Sequence, residues 1–370
     1  MPRAAALLAL RVAAPLAPAL RLAALLAPAL RLAALLAPLA ACDRGTPAPE
    51  PPPPLAIVAQ RPEAEETLVP LNRPLRLRFD RFLRPDSVAR QSFRVTGGTF
   101  DPMTGAPVVG NEFLEPFYDV AERAVVFRLP EGERWVPRTR YTVTVWRATD
   151  NNGFGFRSID GAELAATLNF GFLTGDADDP AEPPRPPVVS YCGRCEGGAF
   201  VPGARDVLQR CASAGCHGDD NPTPPLGLRL GSSASIAQSA FDLPARETLR
   251  GPSVNAVQRN GPAFGVNMAR IDPDNPGWSF LLYKVLLRED AYVPVGDFAL
   301  PASLGPLPLP GEGPPSAAAL EFLGGRFVTG SPMPPDGPAL GSERVRLLQA
   351  WLASGAPLDD DAACPSACPP

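Results

Sequence analysis

Six of the chain's seven cysteines lie beyond residue 190, in three close pairs: Cys192-Gly-Arg-Cys195, Cys211-Ala-Ser-Ala-Gly-Cys216 and Cys364-Pro-Ser-Ala-Cys368. This spacing constrains the second half of the chain more than any other feature, because each pair either cross-links or holds something. In an exported chain the default fate of paired cysteines is a disulfide. Cys192 and Cys195 open the region, and Cys364 and Cys368 close it. Cross-links would tie its two ends together; local bridges within each pair satisfy the same spacing, and both pairings stay open. The middle pair differs: His217, the only histidine in 370 residues, follows Cys216 directly.

Export is read from the N-terminus. Residues 1–41 hold no acidic residue and four charged ones, Arg3, Arg11, Arg21 and Arg31. Recurring Arg and Pro interrupt the roughly 20 apolar residues that a spanning helix needs. Leu32–Ala41 fits the apolar run of a signal peptide, with Arg31 as its charged flank. The run ends Leu39-Ala40-Ala41-Cys42, which resembles the bacterial lipoprotein lipobox. That resemblance implies cleavage before Cys42 and a lipid anchor on its sulfur, placing the chain at a bacterial membrane, on its periplasmic face or the cell surface. An ordinary secretory signal with an incidental cysteine is the simpler alternative. Removing the leader leaves 30 basic against 39 acidic residues. An acidic chain is not expected to bind nucleic acid. Residues 42–54 then read as a Pro-rich, semi-rigid tether.

Residues 55–175 carry period two. Leu75, Leu77 and Phe79 alternate with Arg76 and Arg78; Ala124–Leu129 is a short apolar run; Tyr141, Val143 and Val145 alternate with two threonines; Leu168, Phe170 and Phe172 alternate again. Turn residues such as Gly97-Gly98 and Asn151-Asn152-Gly153 separate the runs. The pattern predicts a β-sandwich. Its text (LRLRFD, then RPDSV, then YTVTVWRATDNNG) resembles the bacterial Ig-like domains, which implies a spacer or stalk. No convergent acid pair, nucleophile or ligand cluster stands out within it.

Residues 176–188 form an acidic, Pro-rich hinge, and beyond them the period changes. Helices are expected over Ala204–Ala212, Ser233–Ala240, Trp278–Leu287 and Ser342–Ser354. The last carries a stripe of Val345, Leu348 and Leu352 beside Leu347 and Trp351, with Ser342 as N-cap and Gly355 as terminator. Forty-nine prolines and 33 glycines, with proline at roughly twice its usual share, predict long loops between these helices. A Cys/Pro tail, residues 361–370, follows. The single lysine, Lys284, against 33 arginines is read as codon bias, with no chemistry drawn from it.

Two thiols followed by histidine in Cys-x-x-Cys-His are the attachment signature of c-type haem. Here the spacing is C-x4-C-H, two residues longer. Cys211 and Cys216 are then the covalent attachment points and His217 an iron ligand. The opposite ligand is usually a thioether, and Met333, in the rigid loop Gly330-Ser-Pro-Met-Pro-Pro-Asp-Gly337, is the candidate; Met268 is the fallback. Residues 189–360 resemble a divergent cytochrome c-type domain in the text VLQRCASAGCHG, GLRL, IDPDNPGWSFLLYKVL and SPMPPDGPALGSERVRLLQAWLASGAP. The order matches: haem-binding helix, middle helix, Met-Pro loop, closing helix. The 115 residues between His217 and Met333 imply an insertion, placed at Glu289–Phe327.

The fold expected is thus an all-β Ig-like sandwich followed by a mainly α, cytochrome c-like domain with long Pro/Gly loops. The function expected is one haem c for electron transfer to an unnamed redox partner, without enzymatic chemistry, since both axial positions are filled. Two other readings remain. Cys211 and Cys216 form a local disulfide in a haem-free surface or adhesion lipoprotein, or Cys192, Cys195, Cys211, Cys216 and His217 supply a zinc knuckle.

Overall fold

In the computed structural model the described residues are 52–97, 103, 114–180, 188–213, 215–245, 268–296, 298, 300, 304, 314–335, 340–365 and 368. All belong to one compact unit, Pro52–Pro370. The leader 1–41, the lipobox with Cys42 and most of the tether lie outside them, as does part of the expected hinge, residues 181–187.

Eight strands form two four-stranded sheets. They are β1 (Ile57–Arg61), β2 (Glu66–Val69), β3 (Leu75–Phe79), β4 (Phe93–Gly97), β5 (Glu115–Asp119), β6 (Ala124–Arg128), β7 (Arg140–Val145) and β8 (Leu168–Thr174). The first sheet runs β1-β3-β6-β5 and the second β2-β8-β7-β4, with β2 parallel to β8 and every other pair antiparallel. Register follows the apolar alternation. Leu75 and Leu77 face Phe127 and Val125; Phe93 and Val95 face Val145 and Val143. A one-residue slip would turn these side chains to the opposite face. Trp135, Tyr141 and Phe172 cluster with ring centroids 4.9 to 5.6 Å apart. The Trp135 Nε1–H donates to the Arg73 carbonyl at 2.7 Å. Gly97 ends β4 at φ +146°, where a Cβ would lie 2.6 Å from the Arg140 carbonyl, so the strand pair closes only on glycine.

A short hairpin, β9 (Arg194–Glu196) with β10 (Ala199–Val201), opens the second region. Among the described residues the helices that follow are α1 (Ala204–Leu208), α2 (Ser233–Ser239), α3 (Phe280–Leu286), α4 (Ala317–Arg326) and α5 (Gly341–Ala353). All seven residues of α3 are buried, as expected of a helix apolar on nearly every side. The expected stripe of α5 is buried with its neighbours Leu347 and Trp351, and α5 packs on α1 and α3. Gly355 terminates it at φ +87°. Ser342 is not the N-cap: Leu340 is, and Ser342 lies buried in the first turn. Its amide donates to the Val293 carbonyl at 3.0 Å, while Glu343 accepts from the Val295 and Gly296 amides. These bonds draw the segment 293–296 against the helix start and displace the expected cap. Helix α4 lies inside the stretch read as an insertion.

The disulfides join the ends of this region, Cys192 to Cys364 and Cys195 to Cys368. Hydrogen bonds run parallel to them: the Cys192 amide donates to Asp359 at 2.9 Å, and the Val189 amide to Ser354 Oγ at 3.3 Å.

The sandwich and the helices share one continuous core. Phe82 meets Tyr283 edge-on, with centroids 6.1 Å apart; the Ala121 amide donates to Gln349 Oε1 at 2.9 Å; the Arg123 guanidinium sits 5.8 Å over the Tyr292 ring. Burial pushes the phenols of Tyr118, Tyr283 and Tyr292 well above their ordinary value, so they stay neutral along this seam. The acidic stretch after β8 is fastened to the sandwich, with Asp176 on Arg138, Asp178 on Arg134 and Asp179 on Arg73.

Candidate functional site

The turn after α1 carries the cysteine–histidine motif. The helix ends at Leu208, short of the expected Ala212, and a turn follows in which the Cys211 amide donates to the Leu208 carbonyl and the Cys216 amide to the Ser213 carbonyl. Gly215, at φ +86°, lets the chain reverse between them. The His217 amide then returns to the Cys211 carbonyl at 3.1 Å, and the His217 carbonyl accepts from Leu230 at 2.8 Å. The turn thus closes on itself and on the strand-like segment that follows.

His217 is 7% exposed. Its Nδ1 lies 3.0 Å from the Leu228 carbonyl. A carbonyl only accepts, so Nδ1 carries the proton and Nε2 is the nitrogen suited to a metal; the same bond fixes the ring's orientation. Cys211 is buried and Cys216 half-buried, and both are free thiols. Burial, with Cys216 nearby, pushes the Cys211 thiol up to about 11.

One cleft gathers these parts. Cys211, His217 and Met333 line it together with Leu226, Leu228, Leu230, Phe280 and Leu281. The space it encloses is about 60 Å³, well below the ~300–1,000 Å³ of ordinary ligand clefts. Two cations stand in its wall, Arg270 and Lys284. Arg270, 9% exposed, donates to the Ser239 carbonyl at 2.6 Å and to the Leu226 carbonyl at 2.7 Å. The lining thus sets a thiol, an imidazole and a thioether on one apolar wall, with two cations held by main-chain carbonyls, and as it stands it leaves no room for a large planar group.

The structure therefore brings Met333 to Cys211 and His217, which share one turn far from it in sequence. Cys216 stays on the same turn but outside the cleft lining. Met268, the fallback ligand, is 1% exposed in the core and does not line the cleft. Met103 is 93% exposed. Cys192 and Cys195, candidates for a zinc knuckle, are consumed by disulfides to Cys364 and Cys368. No group of three or more His, Cys, Asp or Glu poised for a metal occurs among the described residues. The local Cys211–Cys216 disulfide is not formed here. Sequence reasoning missed Arg270 and the Leu228 carbonyl, which no motif marks. It set Lys284 aside, although its being the only lysine was the available signal.

Residues 51–173 match the family described as bacterial Ig-like domain. No curated protein matches the chain. Among solved structures, the chain is similar to CopC from Methylosinus trichosporium OB3b at 18% identity, covering 34% of this chain and 97% of that one, with a TM-score of 0.21. It is similar to the surface layer protein SbsC, domains 1–6, at 10% identity over 38% of this chain and 17% of that one, with a TM-score of 0.23. A third likeness, to the LD transpeptidase LdtMt1 in complex with imipenem, has 19% identity over 34% and 41% of the two chains, with a TM-score of 0.20. Likenesses at this level carry no functional argument.

Proposed function

We propose that this chain is an envelope-anchored electron carrier that holds one haem c in the cleft beside its Ig-like domain. The observation that carries the reading is the convergence of Cys211, His217 and Met333 on one apolar cleft, with the His217 ring already oriented by Leu228. When bound, haem supplies a one-electron Fe(III)/Fe(II) couple. Cys211 and Cys216 would attach it through thioethers, and His217 Nε2 and the Met333 sulfur would hold its iron. Leu228, Leu230 and Phe280 line the site, which would have to widen to admit the group, and Arg270, held by the Ser239 and Leu226 carbonyls, stands in its wall. A thioether ligand raises the reduction potential, and two protein ligands leave no position for a substrate. The reading is therefore electron transfer without enzymatic chemistry, to a redox partner.

Anchoring is the second part of the reading. The lipobox at Leu39–Cys42 supports lipidation of Cys42, and among the described residues no helix is long and apolar enough to cross a membrane. Cys42→Ser should release the protein from the membrane fraction or leave it unprocessed; wild-type fractionation and migration would overturn the anchor.

Expressed with a haem-c maturation system, the full chain should carry covalent haem that survives denaturation. Met333→Ala should keep the Soret band, lose the sulfur-to-iron band at the red end of the spectrum and lower the potential. His217→Ala should abolish attachment or give a high-spin product. Colourless protein would overturn the haem reading. It would favour a haem-free surface protein, a reading supported by the Ig-like match and by two disulfides that hold the helical region without a cofactor.

A further inference from the structure

Of 34 basic residues only Lys284 is not arginine. It sits in α3, 3% exposed, in the wall of the cleft that also holds His217 and Met333. Its main-chain carbonyl accepts from the Met333 amide at 3.2 Å. Its Nζ donates to the Thr329 carbonyl. Two residues beyond the end of α3, where the backbone is already extended, Arg288 donates Nη1 to the Pro334 carbonyl at 2.6 Å. Residues 332, 334 and 335 are proline, so Met333 carries the only amide donor from 332 to 335. That donor goes to Lys284.

We infer that Lys284 and Arg288 are positioning residues, a clamp that fixes Thr329–Pro334 at three points and so sets the Met333 sulfur over the cleft. The clamp belongs to the chain itself; what the sulfur does there rests on the haem reading. The choice of lysine follows from its shape. An ammonium is a compact group with three donors, whereas a guanidinium brings five in a rigid plane that a buried site must satisfy. Here Nζ has the Thr329 carbonyl as acceptor and the Phe280 ring at 6.0 Å.

The test uses the full chain and two variants. Lys284→Met removes Nζ but keeps the main-chain acceptor; Arg288→Met removes the outer point, together with the Arg288–Asp290 ion pair, from a side chain 22% exposed. In haem-free protein, amide exchange of the peptide carrying Met333 should accelerate in Lys284→Met by about ten- to a hundredfold, the loss of one hydrogen bond to a charged group. Arg288→Met should accelerate it too. In haem-loaded protein both variants should keep the Soret band and weaken the sulfur-to-iron band, a change that a purely structural role would not single out. Exchange within twofold of wild type in both variants, or a sulfur band of full strength in both, overturns the clamp. If Lys284→Met does not fold, Arg288→Met decides alone. Colourless wild-type protein overturns the haem reading instead and leaves the exchange measurement to decide the clamp.

Discussion

The two disulfides are nearly concentric, and this makes their contributions non-additive. Cys192–Cys364 spans 172 residues and Cys195–Cys368 spans 173. In the chain-entropy account, closing a loop of that length stabilises by about 5 kcal/mol. Once one bridge is in place, the other closes only the small ring made by residues 192–195 and 364–368, which contributes about 2.5 kcal/mol on the same scale. Removing either bridge alone, as Cys192→Ala with Cys364→Ala or Cys195→Ala with Cys368→Ala, should therefore cost about 2.5 kcal/mol. Removing both should cost about 7.5 kcal/mol, exceeding the two single losses combined by about 2.5 kcal/mol. Alanine is the proper replacement at Cys192, which is 6% exposed, because a buried serine hydroxyl would add its own penalty. Urea unfolding of the full chain reads these differences. Trp135 and Trp351 are both fully buried, one in the sandwich and one in α5, so tryptophan fluorescence follows both regions. A quadruple-variant loss equal to the sum of the two double-variant losses within about 0.5 kcal/mol would refute the reasoning, because the bridges would then not share one loop.

The shared core predicts that Gln349→Leu, which leaves the buried Ala121 amide without its acceptor, costs about 1–3 kcal/mol; unfolding of the full chain by urea checks it, and an unchanged midpoint and slope would deny the contact. In haem-free protein, alkylation at mildly alkaline pH should reach the half-buried Cys216 before the buried Cys211, and mass spectrometry of partly labelled protein shows the order. Because the folded Cys211 thiol is raised from 9.0 to about 11, its contribution to stability is full below pH 9 and is lost as pH rises toward about 11; Cys211→Ala should remove that part of the alkaline loss, and an identical pH profile for the two proteins would contradict it. Gly355→Ala, at φ +87° with its Cβ 3.1 Å from Asp274, should destabilise by about 1 kcal/mol or more, read as a lowered thermal midpoint.

The sequence determined the elements whose period survives without neighbours. Strand β7 alternates because one face is buried and the other is not; β3 and β8 alternate in residue type although Arg78 and Gly171 on their other faces are also buried, and α5 shows its stripe because that face packs on the core. Strand β2 was not legible: it is four residues long, exposes Leu68 at 76% and holds it at φ +58°. Helix α4 was missed because it carries two glycines and buries only Leu320 and Leu323, too little for a stripe. The motif marked Cys211 and His217, and the Pro-flanked loop marked Met333, and all three line one cleft. Tertiary structure alone decided the disulfide partners, because local and end-to-end pairing share one spacing and only the approach of Val189–Cys195 to Ser354–Cys368 separates them. It alone joined the sandwich to the helices, through a seam of buried tyrosines that no period announces. It also turned Lys284 from an oddity of composition into a fastening point, since a clamp between residues 45 positions apart exists only once α3 and the Met-Pro loop lie side by side.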